Sequence, residues 1–185
     1  KDMPSREEIG DMYENQFFQG EIESSTYYQT YSEQEIRNFV RNAAKKEIMI
    51  QKYNVSDDMS NRSMLDVGCG EGYVLNYFNS KGWKVCGIDF SEYGVKNCNP
   101  DILPFLMRGD CNKLLDELIC QNIKYDVINT DLFIECCFEP VKTLRQIKKV
   151  MRNENSLLIV RIANSISPLH RELLKLGILK EDAWF

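Results

Sequence analysis

Residues 65–72 read Leu65-Asp66-Val67-Gly68-Cys69-Gly70-Glu71-Gly72, and this stretch decides the fold. Met64 to Val67 is a short apolar run that reads as a buried strand, and Gly72 opens a stretch with helical spacing. A strand that runs through a glycine turn straight into a helix leaves the first N–H groups of that helix bare. Glycines also let a ligand approach the backbone closely. The spacing is G-x-G-x-G, with an acid two residues before the first glycine. The dinucleotide pattern G-x-G-x-x-G has its third glycine one place later and usually lacks that acid.

Beyond the loop the chain alternates. Lys84 to Ile88, Pro104 to Met107, Tyr125 to Asn129 and Leu157 to Ile162 read as further buried parallel strands. Helical stretches at 72–80, 92–97, 113–121 and 141–151 separate them. In the last, Pro140 takes the first helical position and Val141, Leu144, Ile147 and Val150 share a face. Strands alternating with helices predict an α/β fold: a doubly wound, mostly parallel sheet with helices on both faces.

Before the loop, residues 1–60 are polar and helix-prone. Ser5 with Glu8 and Ser32 with Glu35 fit capping boxes. The second opens a helix of about five turns, with Ile36, Phe39, Val40, Ala43, Ala44, Ile48 and Met49 as its apolar positions. Tyr27, Tyr28 and Tyr31 lie between the two boxes. After Ala163 a helix-like segment runs from Pro168 to Leu176, and nothing beyond Ile162 reads as a strand. The chain thus divides into a helical segment over 1–60, an α/β core over 61–163 and a short segment over 164–185, which the family resemblance drawn from the motifs below makes a cap or lid, a cofactor-binding core and a pocket insert that is cut short. The chain opens on Lys1 rather than methionine, so a preceding segment is expected.

The 185 residues fit one domain, with 43% hydrophobic and 28% charged residues. A net charge of −5 disfavours nucleic-acid partners. Lys142, Arg145, Lys148, Lys149 and Arg152 follow helical spacing and read as a solvated face. The seven cysteines form no C-x-x-C pair and there is one histidine, so no metal site is expected. Several cysteines sit in apolar runs and read as reduced, which suggests a reducing, cytoplasmic compartment. No stretch reaches the length of a membrane span.

Asp66 to Gly72 resembles the first motif of the class I (Rossmann-like) S-adenosylmethionine-dependent methyltransferases. Three further features stand in the order of that family. Cys86-Gly87-Ile88-Asp89 ends the second strand with a carboxylate, 17 residues beyond Gly72, and Phe90 follows it. Arg108-Gly109-Asp110-Cys111 ends the third strand, and Tyr125-Asp126-Val127-Ile128-Asn129 resembles the fourth-strand motif. The resemblance covers about residues 62–165 and is nearest to small-molecule methyltransferases. It implies S-adenosylmethionine as cofactor and S-adenosylhomocysteine (SAH) as product. Asp66, Gly68, Cys69, Gly70, Gly72 and Asn129 would then form the cofactor cradle. Asp89 would take the ribose hydroxyls and Phe90 the adenine face. Asp110 would meet the adenine amino group and the Cys111 N–H a ring nitrogen. Tyr27 and Tyr28 are either lid residues over the sulfonium or a hydrophobic staple. The fold of the family has seven strands, so two are missing here and Leu157 to Ile162 forms a bare edge. A second copy or another domain is expected to cover it.

Two positions depart from the family pattern. Glu135-Cys136 stands where many members have Glu-His, and Asn153-Glu154-Asn155-Ser156 where many have Pro-Gly-Gly. The first departure leaves the base open. Asp131 is a candidate base or a loop acid; Glu135 a base or a surface carboxylate; His170 a base by its near-neutral pKa, outside the matched core. Asn129-Thr130-Asp131-Leu132 lacks the Pro-Pro-aromatic ending of DNA amino-methylating enzymes, so a small-molecule acceptor is expected, including a sugar or surface-polysaccharide precursor. The rival readings are a non-catalytic module of this fold that scaffolds a partner, and a nucleotide-dependent oxidoreductase, which the glycine spacing disfavours.

Overall fold

The computed structural model describes residues 5, 8, 12, 31–53, 61–164, 168, 172, 175 and 176. Among these, helix α1 (Glu33–Lys52) precedes β1 (Ser63–Val67), α2 (Tyr73–Asn79), β2 (Lys84–Asp89), α3 (Tyr93–Cys98) and a 3₁₀ turn (Pro100–Phe105). Then follow β3 (Leu106–Arg108), α4 (Cys111–Cys120), β4 (Val127–Asp131), a 3₁₀ turn (Ile134–Cys136), α5 (Pro140–Val150) and β5 (Leu157–Arg161). The five strands are parallel and lie in the order β3-β2-β1-β4-β5.

Side-chain alternation along each strand divides the core in two. Met64, Val85, Val127 and Ile159 face a cluster closed by Ile50 of α1, Leu75 and Phe78 of α2 and Val95 of α3. Leu65, Val67, Ile88 and Ile128 face the opposite cluster, closed by Leu114, Leu115 and Leu118 of α4 and Ile147 and Val150 of α5. Helices thus cover both faces of a doubly wound sheet. β5 pairs only with β4 among the described residues, and Val160 and Ile162 near that edge are exposed. Among the described residues no helix is long and apolar enough to cross a membrane. None of the seven cysteines forms a disulfide.

Both capping boxes form. Ser5 and Glu8 exchange backbone-to-side-chain bonds of 2.7 and 3.2 Å, and Ser32 and Glu35 do so at 2.8 and 3.3 Å. Two helix faces differ from the periodicity. α1 buries Ala43, Lys46 and Ile50, while Ile36, Val40, Ile48 and Met49 lie exposed. α5 buries Thr143, Gln146, Ile147 and Val150, and leaves Val141 at 60% and Leu144 at 38% exposure. The cause on α5 is polar packing. Asn112 of α4 donates 2.8 Å bonds to Thr143 Oγ1 and Gln146 Oε1, and Gln146 donates to the Asn112 carbonyl at 2.9 Å and to Asp116 at 2.7 Å. A fully satisfied amide cluster can be buried where apolar periodicity alone would place valine and leucine. The third strand begins at Leu106 rather than at Pro104, because the prolines 100 and 104 lack ladder donors and sit in the 3₁₀ turn.

Asp126, just before β4, ties the base of the sheet. It accepts from Ser63 N–H and Oγ at 2.8 Å each, and from Arg152 Nε at 2.6 Å. Removing it leaves a buried N–H and hydroxyl without an acceptor. Asp126→Ala is expected to cost about 2–4 kcal/mol, read by denaturant unfolding, with ligand binding at the far edge unchanged.

Candidate active site

The glycine loop lies at the C-terminal edge of the sheet between β1 and β4. Crossovers run one way from β1 to β2 and β3, and the other way to β4 and β5, which opens a crevice at this point. Gly68, Gly70 and Gly72 have φ of 76°, 55° and 75°, a region that L side chains rarely adopt. Gly68 and Cys69 N–H both bond the Ile88 carbonyl, at 2.8 and 3.2 Å, so the loop is sewn to β2. A Cβ on Gly70 would meet nothing within 4 Å: the middle of the loop is open. A Cβ on Gly68 would fall 2.4 Å from the Phe133 ring, which covers the start of the loop.

Asp89 at the tip of β2 holds this geometry. Its Oδ2 accepts from Gly70 N–H at 2.9 Å and its Oδ1 from Ser91 N–H at 3.1 Å. Burial pushes its pKa up to about 6, and these two N–H bonds oppose the rise. Phe90 follows it, half-buried. Asp110 accepts from Lys113 N–H at 3.0 Å as the N-cap of α4, which places the buried Cys111 in the first turn.

Asp66 and Asn129 meet between β1 and β4. Asn129 Nδ2 donates to Asp66 Oδ1 at 2.6 Å, while Asn129 Oδ1 is buried with no partner. Burial raises the Asp66 pKa from 3.8 to about 7, against the lowering effect of that bond. The folded protein therefore holds this proton more tightly than the unfolded chain. The associated stability is full below about pH 4 and is lost as pH rises through 7. Asp66→Asn removes the titration and gives Asn129 Oδ1 a donor. Its melting temperature should exceed that of the wild type at pH 8, with the gap closing toward pH 5.

The crevice continues toward α1 as a cleft of about 260 Å³. Tyr31, Phe39 and Tyr73 form one wall, with Phe39 and Tyr73 stacked at 4.6 Å between centroids and Tyr31 edge-on to both. The Tyr31 hydroxyl donates to Glu71 Oε1, inside the glycine loop. Burial raises the Glu71 pKa and the Tyr31 bond opposes the rise. On the opposite side Asp131, at the tip of β4, receives Lys46 Nζ on both oxygens, at 3.0 and 2.9 Å, and Arg161 Nε at 3.3 Å. Glu135 is exposed and accepts from Ala163 N–H at 3.2 Å. His170, Tyr27 and Tyr28 lie outside the described residues.

The structure thus places Asp66, Gly68, Cys69, Gly70 and a paired Asp131 on the lining of one cleft, with Asp89 bonded behind it to Gly70 and the buried Asn129 to Asp66, while Gly72 packs toward Val95 and Ile102 of the core. Sequence reasoning passed over Lys46, Glu71, Gly94 and Arg161. The signal for Lys46 was a lysine at the i+3 position from Ala43 and four before Ile50. Gly94 of α3 carries no motif; it backs the loop because a Cβ there would lie 2.8 Å from the Gly70 carbonyl oxygen.

A parallel sheet with a glycine loop at its switch point and an acid on the next strand tip defines a Rossmann-like cofactor-binding domain. The chain belongs to a methyltransferase domain family, whose profile matches residues 58–183. No curated protein matches the sequence. Solved structures do. A magnesium protoporphyrin IX methyltransferase from Synechocystis PCC 6803 with bound SAH aligns at 17% identity and TM-score 0.59, over 96% of this chain and 80% of that one. The plantazolicin methyltransferase BpumL, in complex with a desmethylPZN analog and SAH, aligns at 23% identity and TM-score 0.57, over 79% and 55%. A SAM-dependent methyltransferase from Archaeoglobus fulgidus aligns at 19% identity and TM-score 0.50, over 74% and 66%. At these identities the shared property is the fold. The chain spans between half and two thirds of the length of several of these relatives.

Proposed function

We propose that this chain binds S-adenosylmethionine and transfers its methyl group to a small-molecule acceptor. The observation that carries the reading is Asp89, a carboxylate fixed by two backbone N–H bonds beside a loop whose central glycine opens into the crevice. The residues fit the cofactor. Each Asp89 oxygen keeps acceptor capacity for a ribose hydroxyl. Asn129 Oδ1 is a buried acceptor with no donor. Asp110 and the Cys111 N–H are suited to the adenine edge, and Phe90 to its face. When bound, the cofactor supplies a methyl group on a positively charged sulfur.

The chain's own residues then position the acceptor and exclude water, and in-line placement accounts for most of the rate in such displacements. A hydroxyl acceptor also needs a proton acceptor. Asp131, Glu135 and His170 remain the proposed candidates; Lys46 already occupies both Asp131 oxygens and Arg161 pairs with one of them, which suits Asp131 to anchoring. A sugar or surface-polysaccharide precursor is one acceptor class of suitable size. Seven cysteines without a disulfide support a reducing, cytoplasmic setting.

A specific observation favours a second reading, a non-catalytic module. Asp131 and Glu135 both have protein partners, and among the described residues β5 pairs only with β4. Titration calorimetry with SAH, followed by tritium transfer from labelled S-adenosylmethionine into pools of small acceptors, tests both. Binding with transfer supports the enzyme. Binding without transfer supports the module, and no binding by folded protein sinks the cofactor reading.

A further inference from the structure

The cleft beside the glycine loop is lined by three carboxylates, Asp66, Glu71 and Asp131, and by one cation, Arg161. The carboxylates are less negative than their number suggests. Burial raises the pKa of Asp66 and of Glu71. Asp131 is held on both oxygens by Lys46, whose side chain is only 7% exposed. Arg161 adds a second cation to a carboxylate that Lys46 already neutralises. It contributes Nε alone, at 3.3 Å, and its terminal nitrogens have no partner among the described residues. Its side chain is 51% exposed and borders the cleft. A guanidinium paired through Nε keeps its two terminal nitrogens as a planar fork, which matches the two oxygens of a carboxylate or phosphate.

The sheet order says which half of the site this fork serves. Asp89 is on β2 and Arg161 on β5, with β1 and β4 between them. Three strand spacings separate the two tips by about 14 Å. Arg161 is therefore at the end of the crevice away from Asp89, and it lines the same cleft as Tyr31, Phe39 and Tyr73.

We propose that Arg161, held in place by Asp131 and Lys46, is a specificity-determining residue that binds an oxyanion of the acceptor, so that the acceptor carries a carboxylate or a phosphate. The assignment rests on the methyl-transfer reading above. Lys46 and Asp131 are positioning residues for the guanidinium.

The test titrates benzoate, phenyl phosphate, benzamide and benzyl alcohol into the protein, with and without saturating SAH. At least one anionic probe is expected to bind about tenfold or more tighter than the neutral pair, the size of one charge-assisted pair. The anion that wins distinguishes a carboxylate from a phosphate acceptor. Arg161→Gln should abolish the preference, Arg161→Lys should restore part of it, and both should bind SAH within about twofold of wild type because the fork lies outside the ribose half. Equal binding of anionic and neutral probes, no binding of either anion, or an unchanged preference in Arg161→Gln overturns the proposal. So does a loss of SAH affinity in Arg161→Gln with adenosine affinity intact, which places the guanidinium on the cofactor's own carboxylate. Failure of the wild type to bind SAH instead removes the methyl-transfer reading, and the anion preference is then read in the SAH-free titrations.

Discussion

Asp89→Asn is expected to weaken SAH binding by about 100-fold or more. Two hydrogen bonds from ribose hydroxyls to a carboxylate contribute about 1.5–3 kcal/mol each, and an amide can replace neither in full. Asparagine also has one acceptor oxygen, whereas Asp89 uses both, for Gly70 and Ser91. One of those N–H groups must lose its partner, so the glycine loop loosens as the proposed ribose anchor is lost. The pH profile separates this from simple loop damage. With a pKa of about 6 in the free protein, Asp89 is mostly ionised at pH 7 and mostly protonated at pH 5. Wild-type affinity should therefore fall by about tenfold between those values, as the carboxylate takes up a proton before it can accept from ribose. The asparagine variant should show a flat profile. Calorimetry at three pH values on both proteins measures all of this. Equal affinities, or parallel profiles, would place the ribose elsewhere.

Gly94→Ala carries the second large effect, and its sign is informative. In the interior of an exposed helix this exchange stabilises by up to about 1 kcal/mol. Here the added methyl carbon would stand 2.8 Å from the Gly70 carbonyl oxygen and 3.2 Å from the Glu71 Cα, both backbone, with no flexible side chain to give way. Either α3 or the glycine loop must move. We expect a loss of about 1–3 kcal/mol in place of a gain, as for other overpacked sites. A shifted loop also misplaces the Gly70 N–H on Asp89, so SAH affinity should fall along with stability. Denaturant unfolding and SAH titration of the variant provide the check. A more stable variant with full affinity would show that the loop has slack in it.

The legible part of this molecule was the part governed by repeating rules. The glycine loop sits between strand and helix as its spacing demands. Asp89 terminates β2 as expected, and both serine–glutamate boxes cap their helices because capping is local chemistry within three residues. The five strands were found because they are buried on both faces and read as continuous apolar runs. What escaped is chemistry between elements distant in sequence. Lys46 meets Asp131 across 85 residues, and Asn112 meets Gln146 across 34. No periodicity of one segment encodes such partners. The third strand slipped by two residues because a proline-rich apolar run fits a 3₁₀ turn as well as a strand. Arg161 looked like the end of an apolar strand; it points to the site only once β4 and β5 are known to be in register, with Asp131 opposite Arg161.

Helix α1 buries a narrow stripe, Ala43, Lys46 and Ile50, while its other apolar side chains, Ile36, Val40, Ile48 and Met49, are scattered around the helix and exposed. Two small or medium apolar residues on the buried face leave a helix docked by grease alone with a weakly defined rotation. Lys46 ends that degeneracy. Its ammonium can be buried only where Asp131 waits, and every other rotation of the helix strands one charge or the other without a partner. The ion pair therefore works as a keyway, setting one orientation of α1 at little gain in stability. Through Tyr31, one residue before the cap of that helix, the same orientation is passed on to the glycine loop at Glu71.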